Sequence, residues 1–270
     1  MWGSRGMRDN HRVTPPDGAI VFRRRGIRIG EAYFDAASAG DPGRVDLLRI
    51  VGAFSPPVER GWRELHTLVI DLANDDDRLL EQMSKETRYQ IRRAMQRDPL
   101  RVAATVQASS AAVDEFSDFY DRFASAQSVP PVFRPRLHAL ADRGNLVLTT
   151  ATDEDGAVLV QHAYVAARAR SYMLYSASVL ALSDSSARNL IGRANRYLHW
   201  HDIRLFRDRG YDLDDFGGLD VTGRSEKTGR IAHFKRGFGG EVRPVYSSTS
   251  ARSLLGAAVQ RILSLRGVDF

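Results

Sequence analysis

The stretch Asn189–Gly218, NLIGRANRYLHWHDIRLFRDRGYDLDDFGG, decides how the rest of the chain is read. Serines precede it as helix caps, apolar residues recur at helical spacing, and Gly210 stops the helix. YDLDDFGG then reads as a strand running into a double glycine. Before this long helix lie three strand-like runs: NLVLTTAT, AVLVQHAYVA and RSYMLYSAS, with the turn DEDG between the first two. A long helix after three antiparallel strands is the centre of the arrangement.

Outward from that centre, SAAVDEFSDFYDRFASAQ is a helix with a serine N-cap and an apolar stripe of Val113, Phe116, Phe119, Tyr120 and Phe123. PVFRPRLHALADRG is a shorter helix ending at Gly144. On the C-terminal side, SEKTGRIAHFKRGFGG is a short helix or turn, EVRPVYSS is expected to close the sheet, and ARSLLGAAVQRILSLRG is an amphipathic helix. The first third contributes a strand pair turning at Gly26, then the strands RVDLLRIVGAF and LHTLVIDL. An acid-led helix over Arg78–Arg97 comes next, stopped by Pro99, and LRVAATVQ is a further strand.

Composition bounds the class. The chain has 270 residues, 43% of them hydrophobic and 27% charged, as in a soluble globular protein. No run approaches the roughly 18 apolar residues of a membrane span. The N-terminus carries charge without an apolar core, so it is read as a tail and not as a secretory leader. The absence of cysteine excludes a disulfide framework and a thiol nucleophile, and fits a cytoplasmic protein. The formal net charge is +6, with Arg far outnumbering Lys. That excess suits a phosphate-bearing partner, and equally an Arg-rich composition with no such meaning.

Three stretches together resemble the FemAB-like branch of the GNAT acyltransferase superfamily: SKETRYQIRRAMQRD, the Asn189–Gly218 stretch, and GRIAHFKRGFGGEVRPVY. The resemblance spans roughly residues 60 to 248. It implies an α/β (α+β) fold of two GNAT-like subdomains, with mixed, mostly antiparallel sheets and flanking helices. The expected divisions are a tail at 1–17, subdomains at 18–108 and 109–250, and a final helix at 251–270. The family's helical arm is not seen. The best-known members are aminoacyl-tRNA-dependent peptidyltransferases, so the implied donor is a charged tRNA. The acceptor would be a primary amine on a peptide, a small molecule or a peptidoglycan precursor.

The resemblance carries two residues directly. The lysine of the Phe-Lys motif sits by the reacting ester, which falls on Lys235, and the preceding aromatic, Phe234, helps to place the tRNA end. The chemistry is plain: amine attack on an ester builds negative charge on the carbonyl oxygen, and a fixed cation lowers that barrier. Phe234 offers a face for a terminal adenine, and Arg236 adds charge beside it. Gly237, Gly239 and Gly240 would allow a sharp turn and a bulky ligand's approach. Without the resemblance, the same residues read as a snorkelling lysine, a buried ring and a helix cap.

Other candidates follow from spacing and charge. Lys85, Arg88 and Arg92 share one helix face, suited to tRNA phosphates or to solvent. Asp214 and Asp215 point to opposite sides of their strand. Asp215, nearest the Gly217–Gly218 opening, is the one that could assist the attacking amine; it could equally cap a turn or pair with Arg224 or Arg230. An alternative donor is an acyl-CoA or a carrier-protein phosphopantetheine, held at NLIGRA by Gly192 and Arg193, with Arg188 nearby. A catalytically silent RNA- or partner-binding module is a third reading. His66, His162, His199, His201 and His233 show no metal spacing, and nothing resembles a nucleophile elbow.

Overall fold

The computed structural model describes residues 18–35, 39–56, 61–179, 184–223 and 225–265. The expected tail at 1–17, Arg224 and the last five residues of the C-terminal helix lie outside them. Ten strands form one mixed, mostly antiparallel sheet, flanked by seven helices among the described residues. In chain order the elements are β1 (Ile20–Arg24), β2 (Ile27–Tyr33), β3 (Leu47–Ala53), β4 (Arg63–Asp71), α1 (Asp76–Gln82), α2 (Lys85–Arg97) and β5 (Arg101–Thr105). Then come α3 (Ser110–Gln127), α4 (Arg134–Asp142), β6 (Leu146–Thr152), β7 (Val158–Ala167), β8 (Arg170–Ser178) and α5 (Ser185–Asp208). The chain ends with β9 (Leu213–Gly218), α6 (Glu226–Arg236), β10 (Glu241–Ala251) and α7 (Leu254–Leu265).

The sheet order is β1-β2-β3-β10-β4-β9-β8-β7-β6-β5. EVRPVYSS therefore does not close the sheet at an edge: β10 inserts between β3 and β4, antiparallel to both. Its burial is only partial, so its alternation gives no sign of a central strand. Strands from 18–108 and 109–250 share one hydrogen-bonded sheet.

Alternation along the strands builds two cores. Ala163 and Val165 of β7 face a cluster with Phe116 of α3 and Leu137 of α4. Tyr164 and Ala166 face the other side, with Leu79 of α1, Ile91 of α2, and Trp200, Ile203 and Phe206 of α5. Helices thus cover both faces. Each fully buried large side chain contributes roughly 1.5–3 kcal/mol, enough to hold the layers in register.

The acid-led helix is two helices. Ser84 caps α2, its hydroxyl accepting from the Thr87 N–H, while Met83 ends α1 in an extended conformation. The orphan carbonyls at the end of α1 need donors, and Arg88 supplies them: its guanidinium reaches the carbonyls of Leu80, Glu81 and Met83 at 3.2, 2.9 and 3.1 Å.

Asp214 of β9 is fully buried, accepting from the Ser171 hydroxyl of β8 at 2.7 Å. Burial pushes its carboxyl up to about 8, with Asp202 and Asp215 adding to the effect. The folded chain keeps this proton where the unfolded chain releases it. Stability from this group is therefore present below the ordinary carboxyl range and lost as pH rises toward about 8. Asp214→Asn removes the ionisation, so the fall in Tm between pH 5 and 8 should shrink in thermal melts. An equal fall in both proteins would contradict the assignment.

Candidate active site

The sheet opens between β8 and β9. These strands are parallel and pair only through Arg170–Leu213, Ser171–Asp214 and Tyr172–Asp215. Two bulges stop the pairing at that level. In β8, Ala163 and Tyr164 of β7 face Tyr175 and Met173, leaving Leu174 as the extra residue. In β9, Asp215 pairs with Val69 and Gly218 with Thr67, leaving two residues of β9 opposite one of β4. A bulge bends its strand and raises local twist, so each strand turns away from the other.

Gly217 makes the second bulge possible. Its φ is +70°, and a Cβ there would lie 2.8 Å from the Met173 carbonyl. Its N–H donates to Asp215 Oδ1 at 2.7 Å. The same carboxylate accepts from the Thr67 hydroxyl and from the Arg170 guanidinium. Arg170 also donates to the Gly52 carbonyl at 2.8 Å and lies over the Phe34 and Phe54 rings. Asp215, expected beside the amine, is fully buried, and its oxygens hold the bulge and a buried arginine.

Beyond the bulges lies a cavity of about 520 Å³, walled by β8, the end of β9, α5 and α6. Lys235 and Phe234 are both on its wall. Lys235 Nζ donates to the carbonyls of Phe216, Gly217 and Gly218 at 2.8, 3.2 and 2.7 Å. Burial lowers its pKa to about 8, opposed by the Asp215 charge. The ammonium therefore sits at the widening end of β9, charged near neutral pH and close to losing its proton. Phe234 is half-buried, with the Arg196 guanidinium 5.0 Å from its ring centroid and His199 and Phe238 packed on it.

α6 is fixed in place at both ends. Ser225 and Thr228 form a capping box at its start. At its other end the Ser84 N–H bonds the Gly237 carbonyl at 2.9 Å. Gly239, at φ +79°, brings the chain so close to Gln82 that a Cβ would lie 2.7 Å from its carbonyl oxygen. Gly240 is equally tight, a Cβ there meeting the Val69 carbonyl oxygen, so these two glycines let the chain pack against its own backbone.

The remaining expected residues lie outside the cavity lining. Arg88, expected to hold a phosphate, places its Nη1 on the α1 carbonyls. Lys85, Arg92 and Arg236 are exposed. Gly192 falls well inside α5, where its N–H belongs to the helix, and not at a helix N-terminus. That terminus is capped by the Asp184 carboxylate, which repels a phosphate. Arg193 grips Asp98, with its Nη2 2.9 Å from Oδ1.

The structure adds residues that sequence spacing did not single out. Asn195 and His199, one helical turn apart on α5, both line the cavity. Asn195 faces His162 at 2.9 Å, and His162 faces Asp202 at 2.8 Å, which also accepts from Tyr164. His199 stacks on Phe216 at 4.8 Å, and its buried Nδ1 has no hydrogen-bond partner among the described residues. Burial, with positive neighbours including Lys235 and Arg196, holds its pKa well below the usual histidine value. It is a neutral imidazole in the wall. The i, i+4 spacing of Asn195 and His199 was visible; that their face meets a cavity was not. Among the described residues no cluster of acids and histidines is arranged to hold a metal, and no helix is long and apolar enough to cross a membrane.

No protein-family profile and no curated relative matches the sequence. Solved structures do share the architecture. FemX is similar at 12% identity and TM-score 0.60, over 91% of this chain and 86% of that one. The C-terminal domain of a putative lysylphosphatidylglycerol synthetase from Agrobacterium fabrum is similar at 14% identity and TM-score 0.55, over 91% and 86%. L-PGS from Bacillus licheniformis follows at 13% and 0.52, over 92% and 85%. The fold is GNAT-like. At these identities the likeness concerns the fold.

The Asp215 assignment has a direct test. Asp215→Ala leaves the Arg170 charge buried without its partner and the Gly217 N–H without its acceptor. Such a change typically costs about 3–5 kcal/mol. Urea unfolding should show a loss of that order, or failure to fold. Full stability with activity alone abolished would return Asp215 to the catalytic role.

Proposed function

We propose that this chain is an acyltransferase that moves an aminoacyl group from a charged tRNA to a primary amine, on a peptide, a small molecule or a peptidoglycan precursor. The observation that carries the reading is the cavity between the parted β8 and β9, with the Lys235 ammonium on its wall. The shared fold with FemX and with lysylphosphatidylglycerol synthetases supports it. A tRNA would present only its aminoacylated end to a space of about 520 Å³. Phe234 would place that end, and the exposed cations Lys85, Arg92 and Arg236 would meet phosphates farther out.

The amine nitrogen attacks the ester carbonyl carbon, the carbon–oxygen bond to the ribose breaks, and the proton lost by the amine ends on the released hydroxyl. Lys235 acts on the oxyanion between these events. Its N–H groups are bonded to carbonyls of β9, so it must exchange at least one of them, the Gly217 contact being the longest at 3.2 Å. For the acyl-CoA or carrier-protein alternative, the residues expected to anchor the donor lie inside α5 (Gly192) and on Asp98 (Arg193), which supports the charged-tRNA reading.

Incubation with charged tRNA and amine acceptors should give amide formation that ribonuclease abolishes. Lys235→Ala should slow it by roughly 10²–10³-fold. Ribonuclease-resistant transfer from acyl-CoA would establish the alternative donor instead. Normal turnover in Lys235→Ala would remove the site.

The charge requirement predicts a pH dependence. The Lys235 ammonium is lost as pH rises through about 8, so the stabilising charge is present below that value and absent above it. The acceptor amine's own ionisation acts on every variant alike. The ratio of wild-type to Lys235→Arg activity should therefore fall from pH 7 to pH 9.5, because arginine stays charged. A constant ratio would contradict a role for the ammonium.

A further inference from the structure

The C-terminal helix α7 is apolar on two sides. Val259 packs against the core, and Gln260 bonds the Thr249 carbonyl at 2.7 Å, so that face is seated on β10. Helical periodicity places Leu254, Leu255, Ala258, Ile262 and Leu265 together on an outward face. That face is bare: Leu254 is 92% exposed, Leu265 80%, Leu255 52% and Ile262 51%. No other helix among the described residues exposes so many large aliphatic side chains. Each leaves apolar area in water that the chain elsewhere buries.

A cationic group stands at the start of this helix. Arg28, Arg44 and Arg252 line one shallow concavity there, with Asp41 and Asp46. Asp46 is already engaged by the Arg28 N–H at 2.9 Å and the Ser253 hydroxyl at 2.6 Å. Arg23 lies near enough for its charge to act on the same carboxylate. Arginines outnumber the acids, so the region is net positive. Arg261, exposed, flanks the apolar stripe itself.

We propose that α7 seats this protein on an anionic lipid surface, the Leu254–Leu265 stripe entering the headgroup–acyl boundary and the neighbouring arginines meeting lipid phosphates. An interfacial helix needs this pairing of an apolar face with basic flanks, and it binds by buried area and charge together. A second copy of this chain supplies the apolar face without opposite charge, and would bring a rim that is equally positive. The seating is peripheral: α7 has 12 residues, too few to span a bilayer. It does not depend on the reaction proposed for the cleft, and it can be tested without any substrate.

The test is co-sedimentation of the full chain with phosphatidylglycerol–phosphatidylcholine vesicles, against phosphatidylcholine vesicles alone. Binding is expected to the first and to be weak for the second, falling with salt. Leu254→Glu with Ile262→Glu should cut partitioning at least tenfold, with circular dichroism unchanged. Arg44→Gln with Arg252→Gln should cut it several-fold. Absence of binding to anionic vesicles overturns the proposal by itself, even if a variant fails to fold. Undiminished binding by the folded Glu variant, or a dimer in light scattering that this variant dissociates, also overturns it.

Discussion

A parallel strand pair that stops pairing after three residues is the constraint on which the site depends. β8 and β9 cannot continue side by side, because an extra residue in each turns it away at the same level. The backbone groups freed in this way need other partners. The Gly217 N–H finds the Asp215 carboxylate, and the carbonyls of Phe216, Gly217 and Gly218 find Lys235. One acid and one lysine thus satisfy the opened end of β9, and the lysine's charge is left on the wall of a cavity. The ammonium is part of the structure of the cleft as well as a candidate for its chemistry.

The basic excess of the chain resolves into two populations. One is structural. Arg170 is buried on Asp215, Arg193 on Asp98, and Arg136 and Arg49 both on the buried Glu31, while Arg88 closes a helix end. A guanidinium suits these tasks because its planar fork can satisfy several acceptors at once. The other population is exposed and includes Lys85, Arg92, Arg236, Arg44 and Arg252. Net charge alone did not separate them. Only the second population is available to phosphates of a nucleic acid or a lipid.

Much of the architecture was legible because it is written in local periodicity. The serine-capped α3, the long α5, whose cap is Asp184 and not the expected serine, the three strands between α4 and α5, and the turn at Gly26 all rest on spacing and caps that act within a few residues. Phe234 and Lys235 were singled out through the resemblance, and they lie on the wall of one cavity. What could not be read depended on distant partners. Ser84 is an ordinary helical residue by pattern until the Gly237 carbonyl and Arg88 make it a boundary. The structural ties of Asp215 were hidden because its partners Thr67 and Arg170 are far from it in sequence. Gly192 resembled a phosphate turn because the start of α5 had to be fixed by Asp184 first.

The sequence by itself determined most of the helices and strands and their order, since hydrophobic period and capping are read over one or two turns, while the GNAT type came through the resemblance. Only the tertiary structure decided that β10 enters the middle of the sheet, that β8 and β9 part, and which charged groups face the space between them. Strand order and bulge level are set by pairing across long stretches of chain, and a charge is committed or free according to what folding brings beside it. Neither is encoded in any window short enough to read.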